Sequence, residues 1–229
     1  MVLLGALVNF FSILFGSIIG LALKKGISER YRNVIIGGMA LCTIYVGISG
    51  MLKGKNSLVL IISIALGAII GEFLNIDDKM HRLGNYLQER FKSSGSPVSQ
   101  AFVTATLLYC VGAMAVVGSL QSGISGDHST LFAKAVLDGI MSVILTSQFG
   151  FGVMLSAVPV FIYQGGISLL AGFLEPYFTE TAIAEMTCCG SLLIMAIGFN
   201  LLGITKLKIA NYMPAIFISV ILAQFSFFY

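Results

Sequence analysis

Long uncharged segments alternate with short polar ones along the chain. A helix needs about 20 apolar residues to cross about 30 Å of hydrocarbon, so each uncharged segment of that length predicts one transmembrane helix. The stretch 131–174 is 44 residues long, enough for two crossings, and the polar and glycine residues at 147–152 favour a turn between them. The pattern predicts an all-α, polytopic membrane protein of about eight spans, at 2–23, 34–52, 57–74, 100–121, 131–148, 150–174, 181–203 and 209–228.

Composition excludes several classes of protein. With 57% hydrophobic and 10% charged residues, the chain is not an ordinary soluble protein. A net charge of +3 without an extended basic segment argues against nucleic-acid binding. The four cysteines lie in apolar segments without paired spacing, and the two histidines are far apart in polar loops, so neither a disulfide framework nor a metal site is expected. No common catalytic or cofactor motif is present, so we expect neither an enzyme nor a bound cofactor.

Lysine and arginine are unevenly divided between the loops. The loops after spans one, three, five and seven hold ten of the 13, and the opposite set holds Lys53, Lys55 and Lys134. Basic residues are enriched in cytoplasmic loops, so both termini are predicted to face outward. In the loop 75–99, apolar residues recur at helical spacing from Ile76 to Phe91, which predicts an interfacial helix on the cytoplasmic side followed by a linker.

Small residues also recur at an offset of 152 residues. At this offset, span one aligns with span six, five spans later. Because five is odd, the two copies would cross the membrane in opposite directions. We therefore predict one membrane domain with an inverted repeat, 1–74 and 150–229, around central spans at 100–148; the alternative is a chance match in a glycine-rich chain. Inverted repeats are typical of secondary transporters. The aligned pairs are Gly16 with Ser168, Gly20 with Gly172, Gly38 with Gly190, Gly67 with Ser219 and Gly71 with Ala223.

Small residues four apart predict close contact between helices. The motifs GSIIG at 16–20 and GAIIG at 67–71 have this spacing. They could serve a homodimer, or packing within one protomer.

Asp138 is the strongest candidate for a functional residue. It stands seven residues into span five, and Lys134 lies one turn earlier on the same face. A carboxylate inside a membrane is costly unless it is paired, neutral or hydrated, so by default it indicates a functional site. The alternative is an ion pair with Lys134 that has only a structural role.

Two spans contain residues that weaken a helix. Gly112 and Gly118 lie in span four, and Pro159 precedes the run Tyr-Gln-Gly-Gly at 163–166 in the middle of span six. Broken helices would line a cavity, whereas slim helices would only pack closely. Among the amides of the spans, Gln164 and Asn200 are the candidates for ligand contact, and hydrogen bonding between helices is the alternative.

Four sequence features together resemble a known family. They are the run CVGAMAVVGSLQSGISGD at 110–127, the spacing from Lys134 to Asp138 and Gly139, the step Tyr163-Gln164-Gly165, and the segment from Asn211 to Pro214. This combination resembles the YqgA/YdfK family of bacterial inner-membrane proteins, domain of unknown function 554. The resemblance covers nearly the whole chain and implies a location in the bacterial cytoplasmic membrane and a transporter-like body. It implies no substrate and no residue roles.

Three hypotheses for function follow. The first is a small secondary transporter for an ion or small solute, with Asp138 as the coupling carboxylate and Lys134, Gln164, Asn200, Gly112 and Gly118 around the site. The second is a passive channel through the same glycine-lined centre, without a titrating group. The third is a membrane scaffold or an unfamiliar lipid enzyme, in which Asp138 forms a structural ion pair. The expected partners are the lipid bilayer and a small ion or solute.

Overall fold

A computed structural model describes residues 1–24, 29–79, 82, 98–110 and 113–225. Helices and turns make up this part of the chain, with no strand in it, so the all-α prediction is confirmed. Two short 3-10 segments, Glu175–Tyr177 and Ile209–Tyr212, accompany the α-helices. The α-helices are α1 (Leu4–Lys24), α2 (Glu29–Met51), α3 (Ser57–Phe73), α4 (Val98–Cys110), α5 (Ala113–Ile124), α6 (Ser129–Phe149), α7 (Gly152–Leu155), α8 (Ala157–Leu169), α9 (Ala171–Leu174), α10 (Glu180–Leu201) and α11 (Pro214–Leu222).

Several of these helices can cross a bilayer. Among the described residues, four helical stretches are long and apolar enough: Leu4–Leu23, Ser129–Phe149, Gly152–Leu169, which joins α7 and α8, and Glu180–Leu201. A fifth crossing results if α4 and α5, which are inclined by 59° to one another, form one bent span. The apolar parts of α2, α3 and α11 are shorter. The chain is therefore a helical membrane protein, and the count of eight spans stays a prediction.

Predicted span six differs from the expected helix in where it is interrupted. It is interrupted at Ser156, between α7 and α8, three residues before Pro159, and again at Leu170, between α8 and α9. The proline ring excludes the carbonyl group four residues earlier, and proline has no N–H to donate, so a helix is weakened one turn before it. Helix α8 runs unbroken through 163–166. The break predicted in the middle of this span is therefore wrong.

Predicted span eight begins with a 3-10 turn instead of an α-helix. Pro214 occupies the first position of α11, where its missing N–H is not needed. The preceding turn, Ile209–Tyr212, leaves α11 only nine residues long.

The predicted interfacial helix is described only at 76–79 and Arg82, which are helical; the rest of 80–97 lies outside the described residues.

The chain divides into two compact units. The first unit comprises Met1–Asn33, Met80–Cys110 and Met114–Leu174, and so holds α1 and most of α4 to α9. The second comprises Val34–Lys79, Val111–Ala113 and Glu175–Tyr229, and holds most of α2 with α3, α10 and α11. The proposed division into inverted repeats and central spans stays a prediction.

In the first unit, α1 and α6 form the most extensive helix pair. Apart from Ile13, the buried face of α1 carries small or polar residues, whereas Phe11, Phe15 and Ile19 on the other face are about half to two-thirds exposed. Large apolar side chains that face outward while polar ones face inward suit hydrocarbon surroundings. A methyl group built on Gly16 would lie 3.0 Å from the Ser142 Cβ and still closer to the Gly139 carbonyl oxygen. The GSIIG motif thus marks a packing face, as predicted.

In the second unit, α3 packs against α11 and α10. Its buried residues Val59, Ser63, Gly67 and Gly71 recur every fourth position, forming one stripe. A methyl group on Gly67 would lie 2.7 Å from the Ala215 Cβ, so the GAIIG motif also marks a packing face. Both motifs contact helices of their own chain. Packing within one protomer accounts for their spacing, and a homodimer stays a prediction.

Candidate functional site

A buried polar cluster joins three helices of the first unit. Lys134 Nζ on α6 donates to Asp138 at 2.9 Å from each carboxylate oxygen. Asn9 Nδ2 on α1 donates to Asp138 Oδ2 at 2.9 Å and to Gln164 Oε1 on α8 at 3.0 Å. We call these four residues the Asp138 cluster. The structure thus brings together Lys134, Asp138 and Gln164 among the predicted residues, and adds Asn9.

The sequence places these side chains by helical periodicity. On α1, Ala6, Asn9, Ile13 and Ser17 follow the spacing of one helical face, and all are fully buried. On α6, Lys134 and Asp138 are one turn apart, which allows their side chains to meet. The glycines on the facing helices let α1 approach α6 closely enough for an amide to reach a carboxylate.

The ion pair of this cluster is buried. Lys134 is 7% exposed and Asp138 is 6% exposed, so neither charge has much contact with solvent. Desolvation of two charges is expensive, and a buried pair is maintained only when further hydrogen bonds satisfy its atoms. Asn9 provides one such bond to Asp138 Oδ2. Both carboxylate oxygens therefore have partners. A structural role for Asp138 requires the same ion pair with Lys134.

Two polar atoms of the cluster remain unpaired. Asn9 Oδ1 and Gln164 Nε2 are buried and have no hydrogen-bond partner among the described residues. Leaving a buried polar group unsatisfied costs about 1–3 kcal/mol, and such groups normally bond to protein or to ordered water. One of these atoms is an acceptor and the other is a donor. Water, or a small polar solute with a hydroxyl or amino group, carries the donor and the acceptor that such atoms bond to.

The end of α4 adds a second polar layer. Tyr109 is almost fully buried, and its hydroxyl shares a 2.7 Å hydrogen bond with Ser142 Oγ, one turn beyond Asp138 on α6. The inclined pair α4 and α5 therefore brings the last turn of α4 to the cluster.

The remaining predicted site residues lie elsewhere. Gly118 packs against α6, because a methyl group on it would lie 3.0 Å from the Thr130 Cγ2; this matches the close-packing alternative. Gly112 lies outside the described residues. Asn200 belongs to the second unit, where its side chain bonds to Thr205 Oγ1 and to the backbone N–H and carbonyl of Leu207. Its amide organises the loop after α10, so the structure does not place it in the Asp138 cluster.

Glu185 is a buried carboxylate that the sequence pattern alone did not single out. It lies on α10 and is fully buried. Its Oε1 accepts backbone N–H bonds from Lys55 at 2.7 Å and Asn56 at 2.9 Å, just before α3 begins. A negative charge is favourable at a helix N-terminus. Its Oε2 has no partner among the described residues. The available signal in the sequence was its position inside the predicted span 181–203.

This geometry predicts different results for two substitutions of Glu185. Glu185→Ala removes the acceptor of both backbone N–H groups, so we expect it to lower the free energy of unfolding by about 2 kcal/mol. Glu185→Gln keeps one carbonyl oxygen for those bonds, so we expect it to lose less than half as much. Denaturant titration in mixed micelles measures both. Equal losses would show that the charge, and not the acceptor, stabilises this end of α3.

The described residues include no group of three histidine, cysteine, aspartate or glutamate side chains that could hold a metal ion. The Asp138 cluster itself offers a charged pair and hydrogen-bonding amides. It can bind a cation or a proton at Asp138 in competition with Lys134, and a polar group at Asn9 and Gln164.

Comparison with known proteins defines the family. Residues 4–224 match the model of a family described as "Protein of unknown function (DUF554)". The chain is 33% identical to the uncharacterized membrane protein YdfK of Bacillus subtilis over 93% of each chain. It is 26% identical to the uncharacterized protein YqgA of Escherichia coli over 94% of each chain. No solved structure matches. The chain therefore belongs to the DUF554 family of membrane proteins, the family indicated by its central motifs.

Proposed function

We propose that this protein is a small secondary transporter of the bacterial cytoplasmic membrane, not an enzyme, and that it moves an ion or small solute coupled through Asp138. One observation carries the proposal. The Asp138 cluster keeps a buried carboxylate together with an unpaired donor and an unpaired acceptor in the same group of side chains. A cluster built only for stability would not need unpaired amide atoms. Apolar residues of similar shape could fill the same space without the desolvation cost of buried polar atoms.

The arrangement supports a simple exchange at Asp138. Lys134 neutralises the carboxylate when no cation or proton is bound. A cation or proton that binds Asp138 displaces the lysine ammonium. Repulsion between the bound charge and the ammonium is weaker once the two are farther apart. Asn9 links this event to Gln164, since its Nδ2 bonds to both side chains. The bent pair α4 and α5 is the element next to the cluster whose geometry can differ between two states.

The ion-pair alternative has its own support in the 2.9 Å contact between Lys134 and Asp138 and in the burial of both residues. In that case Asp138 contributes to stability and takes no part in transport. The two functions differ in what removal of the charge does to flux.

The test begins with a thermal-shift screen of purified protein against sodium, potassium, inorganic phosphate and amino acids. A ligand at 100 times its dissociation constant adds about 2.7 kcal/mol to stability and so identifies the solute to follow. Uptake of that solute is then measured in vesicles with an imposed proton or sodium gradient. We expect gradient-driven uptake by the natural protein, and uptake at the level of empty vesicles with Asp138→Asn.

A matched control carboxylate lies just before α6. Asp127 is exposed, and the backbone N–H of Ser129 donates to it at 2.9 Å, which lowers the pKa of its carboxyl group. Asp127→Asn removes a charge outside the cluster, so we expect unchanged uptake. If Asp138→Asn retains gradient-driven uptake, the structural ion pair is the correct interpretation. Flux that is insensitive to both gradients would instead indicate a passive channel.

A further inference from the structure

A cavity of about 600 Å³ lies in the second unit, where the end of α3 meets the loop between α10 and α11. Its wall includes Glu72, Phe73, Lys206, Lys208 and Asn211. Pockets for small ligands have volumes of about 300–1,000 Å³, so this one has room for a ligand. None of these residues takes part in the proposed transport site.

Two of the three charged residues of the cavity, Glu72 and Lys208, contact neighbouring side chains. Asn211 Nδ2 donates to Glu72 Oε2 at 2.6 Å, and Asn211 Oδ1 accepts from the backbone N–H of Asp77 at 2.7 Å. Lys208 Nζ lies 3.5 Å from Asp78 Oδ1. The wall thus offers one carboxylate held by Asn211 and two ammonium groups, one of them near Asp78. A ligand complementary to it carries both an anionic group and a cationic group.

The opening of the cavity is apolar. Ile69 and Phe73 stand one turn apart on α3, and their side chains are 67% and 84% exposed. Glu72, between them in sequence, belongs to the same wall. In a membrane protein, exposed residues of this kind contact acyl chains. The cavity therefore joins a lipid-facing surface to a site with charges of both signs.

We propose that this cavity binds a phospholipid whose headgroup carries an ammonium group beside its phosphate, as phosphatidylethanolamine does. The phosphate lies between Lys206 and Lys208, and the ammonium donates to Glu72. The acyl chains follow Ile69 and Phe73. Charge-assisted hydrogen bonds between an ammonium and a carboxylate are among the stronger ones in proteins, so Glu72 selects this headgroup over one that is only anionic.

The experiment measures lipid retention by native mass spectrometry of the detergent-purified protein with equal amounts of phosphatidylethanolamine and phosphatidylglycerol. We expect phosphatidylethanolamine to be retained about tenfold more, and Glu72→Gln to abolish this preference. Glu72→Gln keeps a carbonyl oxygen for Asn211, so the wall stays intact. Joint substitution Lys206→Gln and Lys208→Gln should lower retention of both lipids. Glu175→Gln, which removes an exposed carboxylate away from the cavity, should change neither.

A second measurement needs no variant. Successive N-methylation of the ethanolamine headgroup removes its N–H donors, so retention by the natural protein should fall at each step to phosphatidylcholine. Equal retention along this series would overturn the proposal, as would a lipid preference that survives Glu72→Gln. Stronger retention of phosphatidylglycerol would show that the lysines alone attract any anionic lipid.

Discussion

Replacing Lys134 by methionine is expected to lower the free energy of unfolding by about 3–5 kcal/mol. The substitution leaves Asp138 buried without its opposite charge, and among the described residues only Asn9 then donates a hydrogen bond to it. Asp138→Leu should have a comparable cost, because it leaves the Lys134 ammonium buried without its partner. Steric trapping in lipid bicelles measures the free energy of unfolding for each variant.

The double variant Lys134→Met with Asp138→Leu separates the cost of an unpaired charge from the value of the pair. An apolar pair of similar volume is often as stable as a buried ion pair. We therefore expect the double variant to lie within about 1 kcal/mol of the natural protein, which corresponds to a large coupling energy between the sites. Additive losses would show that the two residues do not act as a pair.

Gly16→Ala is expected to cost about 1–3 kcal/mol, because the added methyl group meets the backbone of α6. A carbonyl oxygen of Gly139 cannot move away as a flexible side chain can, so α1 and α6 must separate. Asn9 lies seven residues before Gly16 on the same face of α1, so that separation should also weaken the hydrogen bond from Asn9 to Asp138.

A glycine without this constraint provides the comparison. Nothing among the described residues lies within 4 Å of a methyl group built on Gly166 of α8. Gly166→Ala should therefore preserve stability or increase it by up to about 1 kcal/mol, since alanine loses less backbone entropy. The same unfolding titration compares the two variants. Equal losses would mean that helix propensity, and not contact with α6, explains the effect at Gly16.

The sequence predicted most helix positions because charge marks where a membrane helix ends. Helix α3 closes at Phe73, one residue from the predicted end, since the polar loop begins directly after it. Pro159 and Pro214 were less informative from sequence alone. A proline inside an apolar segment can kink a helix, break it or begin it, and the backbone around it decides which.

The candidate site was predictable where its residues are close in sequence. Lys134 and Asp138 are one turn apart, so their pairing followed from helical geometry. Asn9 carries no such signal, because its partners are 129 and 155 residues away. Glu185 lies inside the predicted span 181–203, but nothing in the local sequence indicates its partners, the backbone N–H groups of Lys55 and Asn56, which are 130 and 129 residues earlier.

The two long-range bonds of Asn9 have a consequence for biosynthesis. Helix α1 leaves the ribosome before α6 and α8, and Gln164 is made 155 residues after Asn9. At about 5–20 residues per second, that interval lasts about 8–30 s. Throughout it the Asn9 amide lies in a newly inserted helix that lacks its final partners. The insertion machinery, neighbouring helices or water at the membrane surface must satisfy this amide until α6 and then α8 arrive.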